Sequence, residues 1–211
     1  MPFEGEISFE NIKTEDEAKL FFETYFPNVM QVIDDLLNDF FKNPTSAMVT
    51  MKCYPWTYWD KVALVGDSAH AVVPFYGQGM NAGAEDIFVL NRLMETYGND
   101  WERIFQEYQK ERKPNADAIA ELSYRNFREM SSKTADSQFL LQKKIEKRFA
   151  SKHPDKWIPV YSRVTFSNRP YAEALALGDT QERIMKVVMQ MPNIEEKWDS
   201  VEVEEKILSL I

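Results

Sequence analysis

The chain has 211 residues, 44% of them hydrophobic and 13% aromatic, which is enough to bury a sizeable core in one or two domains. A formal net charge of −9 argues against a nucleic-acid partner, because phosphate backbones need a basic face. The single cysteine, Cys53, excludes an internal disulfide, and we expect it to be a small apolar strand residue rather than a nucleophile.

The first 45 residues are predicted to be mostly helical. Residues 2–12 give only a weak extended pattern. Residues 14–17, with the sequence TEDE, have the form of a capping box, which predicts a helix that starts at Thr14. An apolar stripe then predicts a second helix over residues 29–41, and residues 43–44 (Asn-Pro) end it. Such a stripe is typical of a core, so we assign it no catalytic role.

Two strands are predicted next. Residues 46–54 alternate weakly and indicate a strand. Residues 62–65 form a short uncharged run, two of the four β-branched, that ends in Gly66, which is typical of a strand buried on both faces of a parallel sheet. Asp67 follows at the carboxyl end, where open α/β sheets place their ligands, and its carboxylate can accept hydrogen bonds from ligand hydroxyls. The residues alone are equally compatible with Asp67 as a cap of the following turn.

A glycine-rich loop follows this strand. Gly77, Gly79 and Gly83 fall within seven residues, and the helical spacing that begins near Met80 lasts until Gly98. Glycines let the backbone lie close to a flat ligand, and the free amides of a first helical turn then point at it. Such a helix start suits an anion, such as a phosphate or the N1/C2 carbonyl region of a reduced flavin. The alternative is a tight loop whose glycines only allow close packing.

The remaining chain is predicted to be helical apart from one extended segment. Helices are predicted from Trp101 to a break at Pro114, then over residues 116–127, 135–150, 171–177, 180–191 and from 195 to the end. Residues 154–169 lose the helical period and are predicted to be extended. The cations near the break, Lys110, Arg112 and Lys113, are expected to form a solvated face. His70 and His153 are too few and too far apart for a zinc site, and we expect them to be structural or at the surface.

The segment GDSAHAVVPFYGQGMNAGAED, residues 66–86, resembles the second flavin motif of the single-component FAD-dependent aromatic hydroxylases, the family that includes para-hydroxybenzoate hydroxylase. With SYRNFREM (residues 123–130) and WIPVYSRVTFSNRPY (residues 157–171), the loop PFYGQGMNAG is most similar to the family members that hydroxylate L-kynurenine. The resemblance runs from about Lys52 to about Glu173. It departs from the family at Ser68, where alanine is usual, and at Ala84, where a bulkier residue is common.

The resemblance implies an α/β fold, in which part of a para-hydroxybenzoate-hydroxylase-like FAD-binding fold precedes a mainly helical carboxyl-terminal domain. Residues 1–51 would then be part of the substrate domain, residues 52–113 the carboxyl-terminal part of the FAD-binding domain, and residues 114–211 the helical domain. The family's G-x-G-x-x-G fingerprint does not occur in this sequence. We therefore expect the chain to be the carboxyl-terminal portion of an enzyme whose amino-terminal half completes the site.

The function that the resemblance implies is an FAD-dependent, NADPH-using monooxygenase. It would hydroxylate the ring of L-kynurenine to 3-hydroxykynurenine with O₂, through a C4a-hydroperoxyflavin, in tryptophan degradation and NAD biosynthesis. The cofactor would carry this chemistry, so no catalytic side chain and no metal site are expected. The expected FAD-binding residues are Gly66, Asp67, Pro74, Gly77, Gln78, Gly79, Met80 and Asn81, with Asp67 on the ribityl chain. The expected substrate-binding residues are Phe75, Tyr76, Gln78, Asn126 and Tyr161.

Two alternatives remain open from the residues. One is a flavin hydroxylase of another aromatic substrate, and the other is a non-catalytic helical interaction domain. The resemblance implies a location on the cytoplasmic side of the mitochondrial outer membrane, and peripheral membrane association is compatible with it. No uncharged run here approaches the length of a membrane span, so we expect the chain itself to be soluble. A homodimer is also compatible with the resemblance.

Overall fold

Helices make up most of the fold, and sheet is confined to one short antiparallel ladder. The computed structural model describes residues 3–211. They form two units with separate internal packing, one up to Met48 and one from Val49 to Ile211. The assignment of the chain to substrate, FAD-binding and carboxyl-terminal domains stays a prediction.

The first unit contains helix α1 (Glu15–Tyr25), a 3₁₀ turn (Val29–Gln31) and helix α2 (Leu36–Lys42). The capping box is confirmed: the Glu17 amide donates to Thr14 Oγ1 at 3.3 Å, and the Glu17 carboxylate accepts from the Thr14 amide at 2.9 Å. The prediction of one continuous second helix is wrong, because residues 32–35 separate the 3₁₀ turn from α2. The extended segment predicted over residues 2–12 is wrong for residues 3–11, which form turns and bends. The Glu10 amide there donates back to the Phe3 carbonyl at 3.0 Å. Pro2 lies outside the described residues.

The second unit begins with a hairpin of β1 (Thr57–Tyr58) and β2 (Val62–Ala63), in which Thr57 is opposite Ala63 and Tyr58 is opposite Val62. The prediction of a buried parallel strand is wrong. Within residues 3–211, β2 pairs only with β1, and Val62 is 52% exposed. The tight turn after Tyr58 supplies an antiparallel partner locally, which an uncharged run by itself does not reveal.

The strand predicted over residues 46–54 is also absent. Its backbone makes isolated hydrogen bonds and no ladder: the Met51 amide donates to the Ala71 carbonyl at 2.7 Å, and the Cys53 carbonyl accepts from Trp56 Nε1 at 3.0 Å. Cys53 is half-buried outside any strand, and its thiol donates to the Ala69 carbonyl at 3.2 Å. A weak alternation in sequence therefore gives an irregular segment when no neighbouring strand lies beside it.

Beyond the hairpin come a one-turn helix α3 (Asp67–His70), helix α4 (Gly79–Tyr97) and helix α5 (Trp101–Ser132). Gly98, at φ 64°, ends α4 as predicted, and Asp100 caps α5. The predicted break at Pro114 is wrong, because α5 continues through it as one helix of 32 residues. A proline removes one helical hydrogen bond, and burial of α5 residues on both sides of Pro114 holds the helix together despite that loss.

The remaining helices are α6 (Ser137–Lys152), α7 (Val160–Thr165), α8 (Tyr171–Val188), α9 (Ile194–Lys197) and α10 (Val201–Leu210). The helix predicted over residues 135–150 is confirmed as α6. The extended segment predicted over residues 154–169 is wrong, because α7 lies within it. The last predicted helix is two helices, with Ser200 capping the second.

The break predicted at Gly178 is wrong for a packing reason. Helix α8 runs through Gly178, and a Cβ atom there would lie only 3.2 Å from Val160 Cγ2. The glycine therefore allows α7 and α8 to pack closely and does not end a helix.

Three buried clusters hold the second unit together. The first contains Trp56, Ala69, Val89, Leu93, Ile104, Tyr108 and Ala116, beneath the hairpin and α3. The second contains Ala82, Ala118, Ile119, Leu122, Val164, Tyr171 and Ala174, and joins α4, α5, α7 and α8. The third, here called the carboxyl-terminal core, contains Ile145, Phe149, Trp157, Ile184, Met185, Val188, Ile194, Val203 and Ile207. Among the helices of residues 3–211, none has the length and apolar composition that crossing a membrane requires.

Candidate functional site

Asp67 lies on an exposed turn that begins with Gly66, whose φ of 61° is in the left-handed region that favours glycine. The hydroxyl of Ser68 ties the turn to the segment that follows β2, accepting from the Val65 amide at 3.2 Å and donating to the Val65 carbonyl at 2.7 Å. No described residue donates a hydrogen bond to the Asp67 carboxylate. No side-chain cap hydrogen bond is formed at the amino end of α3, and the Asp67 carboxylate faces solvent.

Behind the turn lies a buried polar network, here called the Asp86 network, formed by Gly66, His70, Asp86 and Arg112. Asp86 Oδ2 accepts from the Gly66 amide at 2.9 Å and lies 2.5 Å from His70 Nε2. Arg112 Nε donates to Asp86 Oδ1 at 2.7 Å. Asp86 is 0% exposed, and His70 and Arg112 are each 3% exposed. Helix α4 packs directly on the turn, since a Cβ at Gly83 would lie 3.6 Å from Gly66 Cα.

The network keeps both of its charges. Burial alone would raise the pKa of Asp86, but hydrogen bonds from His70, Arg112 and Gly66 outweigh burial and lower it. Burial would likewise lower the pKa of Arg112, and its pairing with Asp86 and Glu85 raises it instead. The pair is therefore ionised at neutral pH.

Sequence reasoning missed Asp86 and misplaced Arg112, which is buried and not part of a solvated face. His70 is buried and structural, as expected. A usable signal did exist: Asp86 falls on the buried face of α4 with Ala82, Val89 and Leu93, and a carboxylate within an apolar stripe predicts a buried partner.

The glycine loop turns from a 3₁₀ helix (Pro74–Tyr76) through Gly77, at φ 66°, into α4 at Gly79. The loop glutamine, Gln78, is only 6% exposed. Its Oε1 accepts from Asn81 Nδ2 at 2.9 Å and from the Tyr171 hydroxyl at 3.0 Å. The helix start predicted near Met80 is confirmed.

The other residues predicted to bind FAD lie at the surface of this loop. Pro74, Gly77, Met80 and Asn81 are exposed, and Gly79 is half-buried against Val72. No side chain caps the first turn of α4. Since Gly83 touches Gly66, the amino end of α4 joins the loop to the Asp67 turn.

Four of the five residues predicted to bind substrate come together. Asn126 Nδ2 donates to the Phe75 carbonyl at 2.7 Å. The Tyr76 and Tyr161 rings stack with centroids 5.6 Å apart, and Phe75 packs on Phe127 at 4.8 Å. Burial, together with the charge of Glu129 and the nearby Tyr161, raises the pKa of Tyr76 to about 12, so its phenol is neutral.

Gln78, the fifth of these residues, turns toward α8 instead. Its partner Tyr171 was missed by sequence reasoning, although WIPVYSRVTFSNRPY contains it. Burial raises the pKa of Tyr171 to about 12, which keeps its hydroxyl a donor. Within residues 3–211, no three His, Cys, Asp or Glu side chains are grouped as metal ligands. The surface instead offers aromatic faces, an amide and a free carboxylate.

A family model and several named proteins match this chain. Residues 27–123 match the family model described as FAD binding domain. Over all 211 residues the chain is 70% identical to the kynurenine 3-monooxygenase of Christiangramia forsetii and 67% identical to that of Flavobacterium johnsoniae. The predicted resemblance is confirmed, and it extends beyond residues 52–173 to the whole chain.

More distant relatives carry the same name. Over 201 residues the chain is 41% identical to the kynurenine 3-monooxygenase of Dictyostelium discoideum. The chain covers 47% of the Christiangramia forsetii protein, 47% of the Flavobacterium johnsoniae protein and 44% of the Dictyostelium discoideum protein. It therefore spans about half the length of the curated relatives it matches. The FAD-binding match includes Gly66, Asp67, the glycine loop and Asp86.

Proposed function

We propose that this chain belongs to an FAD-dependent monooxygenase that hydroxylates the ring of L-kynurenine to 3-hydroxykynurenine, with NADPH as reductant and O₂ as co-substrate. The observation that carries the proposal is the 70% identity, over all 211 residues, to a protein named kynurenine 3-monooxygenase. Bound FAD would supply the redox and oxygen chemistry, while the protein binds and orients both ligands and excludes water.

The residues of the Asp67 turn fit such a cofactor. An exposed carboxylate with no hydrogen-bond donor among the described residues can accept from the ribityl hydroxyls of FAD. The uncapped amides at the start of α4 can donate to the carbonyl edge of the flavin ring, where negative charge develops on reduction. Gly77, Gly79, Met80 and Asn81 would then line the flavin.

The aromatic cluster fits the substrate. Asn126 uses one N–H on Phe75, and Tyr161 is 52% exposed. Among the described residues, neither the Asn126 side-chain carbonyl nor the Tyr161 hydroxyl has a hydrogen-bond partner. An amide and a phenol can bind the amino-acid end of kynurenine without adding charge. Phe75 and Tyr76 would border its ring, and Gln78 would lie between ring and flavin.

A longer enzyme is part of this proposal. Large apolar side chains on one side of α4 are exposed in this chain: Met80 by 84%, Ile87 by 58% and Phe88 by 70%. Adjacent exposed apolar groups of this size are typical of a surface that another part of a protein covers. We propose that an amino-terminal half with the dinucleotide fingerprint covers them, and that this chain alone binds FAD weakly. Because the relatives include bacterial proteins, the proposed activity does not depend on a mitochondrial location.

Flavin content of the full-length protein tests the proposal. The purified protein should be yellow and release FAD, whereas a helical interaction domain would be colourless. Asp67→Ala should weaken FAD binding about ten- to a hundredfold, because a hydrogen bond to a charged group contributes roughly 1.5–3 kcal/mol. Asp60→Ala is the matched control: it removes another exposed carboxylate, which pairs with Lys61, and should leave FAD affinity unchanged. Equal affinities in the two variants would remove Asp67 from the FAD site.

A further inference from the structure

We propose that Asp86 is a positioning residue for FAD: through Gly66 and His70, its carboxylate fixes the turn that presents Asp67. The inference rests on the proposed function, and it assigns a task to a residue that the proposed function itself does not use.

The geometry places Asp67 between two attachments to one oxygen. Asp86 Oδ2 binds the Gly66 amide, one residue before Asp67, and His70 Nε2, three residues after it. Between these attachments Ala69 is fully buried, while Asp67 and Ser68 face out. Because the turn is held at both ends, the backbone at Asp67 is fixed before a ligand binds. Binding to the Asp67 carboxylate then costs little conformational entropy.

Arg112 in turn fixes Asp86. Its Nε donates to Asp86 Oδ1, its Nη1 to Glu85 at 2.6 Å and its Nη2 to the Ala82 carbonyl at 3.0 Å. The planar guanidinium is thus held by three acceptors on α4, and the carboxylate can adopt one orientation. On the other side, the Trp56 ring packs at 5.2 Å from the His70 ring.

A buried ion pair by itself explains little stability, because an apolar pair of the same volume often performs as well. Here the pair offers something that an apolar pair cannot, namely acceptors for the Gly66 amide and His70 at the back of an exposed turn. Orientation of Asp67 is therefore the function that the network serves.

The test uses Asp86→Asn in the full-length protein. Asparagine has nearly the same shape, but its single carbonyl cannot accept from Gly66, His70 and Arg112 together. We expect the FAD dissociation constant to rise about tenfold or more. Without FAD, amide hydrogen exchange should speed up in the peptide that covers residues 64–72, while exchange in α10 stays at its wild-type rate.

The matched control is Ile207→Ala, in the carboxyl-terminal core, which lowers global stability without touching the turn. It should leave the FAD dissociation constant within about twofold of wild type. If Asp86→Asn does not fold, Arg112→Lys keeps the charge but loses the planar fork, and it should raise the constant by about threefold or more.

Two results would overturn the inference. The first is wild-type FAD affinity in Asp86→Asn, or in Arg112→Lys if Asp86→Asn does not fold. The second is a loss of FAD affinity in Ile207→Ala equal to that in the network variant. Failure of the proposed function looks different. A wild-type protein that binds no FAD contradicts the proposed function, and the exchange rate of residues 64–72 then decides alone whether Asp86 holds the turn.

Discussion

Helix α4 and the carboxyl-terminal core differ in one polar and one apolar position. Helix α4 buries a carboxylate, Asp86, and exposes Phe88 by 70%, whereas in the carboxyl-terminal core Phe149 and Ile207 are 3% and 1% exposed. The buried side chains of the carboxyl-terminal core are all apolar. The buried carboxylate and the exposed phenylalanine of α4 are what we expect under our proposal, in which the inner face supports a ligand-binding turn and the outer face meets another part of the protein.

The largest expected effect concerns the two phenylalanines. In the full-length protein, Phe149→Ala should lower the free energy of unfolding by about 3–5 kcal/mol, because it empties a packed core. Phe88→Ala should also cost more than about 2 kcal/mol there, although this chain exposes its ring, because the proposed amino-terminal half covers it. Urea unfolding measures both. A cost below about 0.5 kcal/mol for Phe88→Ala would show that the outer face of α4 is solvent-exposed in the intact protein.

The next effect is a pH dependence of stability that we expect for the Asp86 network and not for the carboxyl-terminal core. The folded state lowers the pKa of Asp86, so its contribution to stability is complete above the pKa of an unfolded aspartate, about 3.9, and is lost as the pH falls below that value. The stability difference between wild type and Asp86→Asn should therefore be full at pH 7 and shrink below about pH 4. The difference caused by Phe149→Ala should not change, because no titrating group is removed. A wild-type advantage over Asp86→Asn that persists unchanged below pH 4 would contradict the ionised network.

A smaller effect is expected at the aromatic cluster. Asn126→Ala and Tyr161→Phe should each raise the dissociation constant for kynurenine by about tenfold, because an unpaired buried partner costs on the order of 1–3 kcal/mol, while the flavin spectrum stays unchanged. Titration of the oxidised flavin with kynurenine measures this. Tyr124→Phe, a neighbouring exposed tyrosine on α5, is the control and should bind as wild type does. Wild-type affinity in both variants would remove Asn126 and Tyr161 from the site.

Tyr171→Phe should act differently. It removes one of the two donors that hold the Gln78 carbonyl, so the amide can rotate. Since Gln78 is proposed to lie between flavin and substrate, we expect slower substrate-stimulated flavin reduction by about two- to fivefold, in proportion to a neutral hydrogen bond of about 0.5–1 kcal/mol. An unchanged reduction rate would leave Tyr171 with a packing role only.

Sequence reasoning predicted the parts of the site that short motifs specify. The turn at Gly66 and Asp67, the start of α4 and its end at Gly98 depend on neighbouring residues, and the structure contains them where predicted. The burial of Arg112 depends on Asp86, which is 26 residues away in sequence. The neighbouring charges alone therefore predicted, wrongly, that Arg112 is exposed to solvent.

The helix ends predicted at one proline and one glycine were wrong for a related reason. Pro114 and Gly178 are local helix-breaking signals, yet α5 and α8 pass through them because packing on both sides outweighs the local preference. The contact between Val160 and Gly178 joins two helices that the sequence pattern did not connect. Where tertiary packing decides whether a helix continues, the periodicity and the helix-breaking residues of one segment are not sufficient to predict its bounds.

Flavin reduction in the full-length protein tests the central claim most directly. Under anaerobic conditions, NADPH should reduce the bound FAD, and L-kynurenine should accelerate the reduction more than any other member of a panel of aromatic amino acids. The loss of flavin absorbance in a stopped-flow instrument reports the rate. Reduction that kynurenine does not accelerate, or that another aromatic compound accelerates more, would contradict the proposed substrate, and a protein without reducible flavin would contradict the proposed monooxygenase.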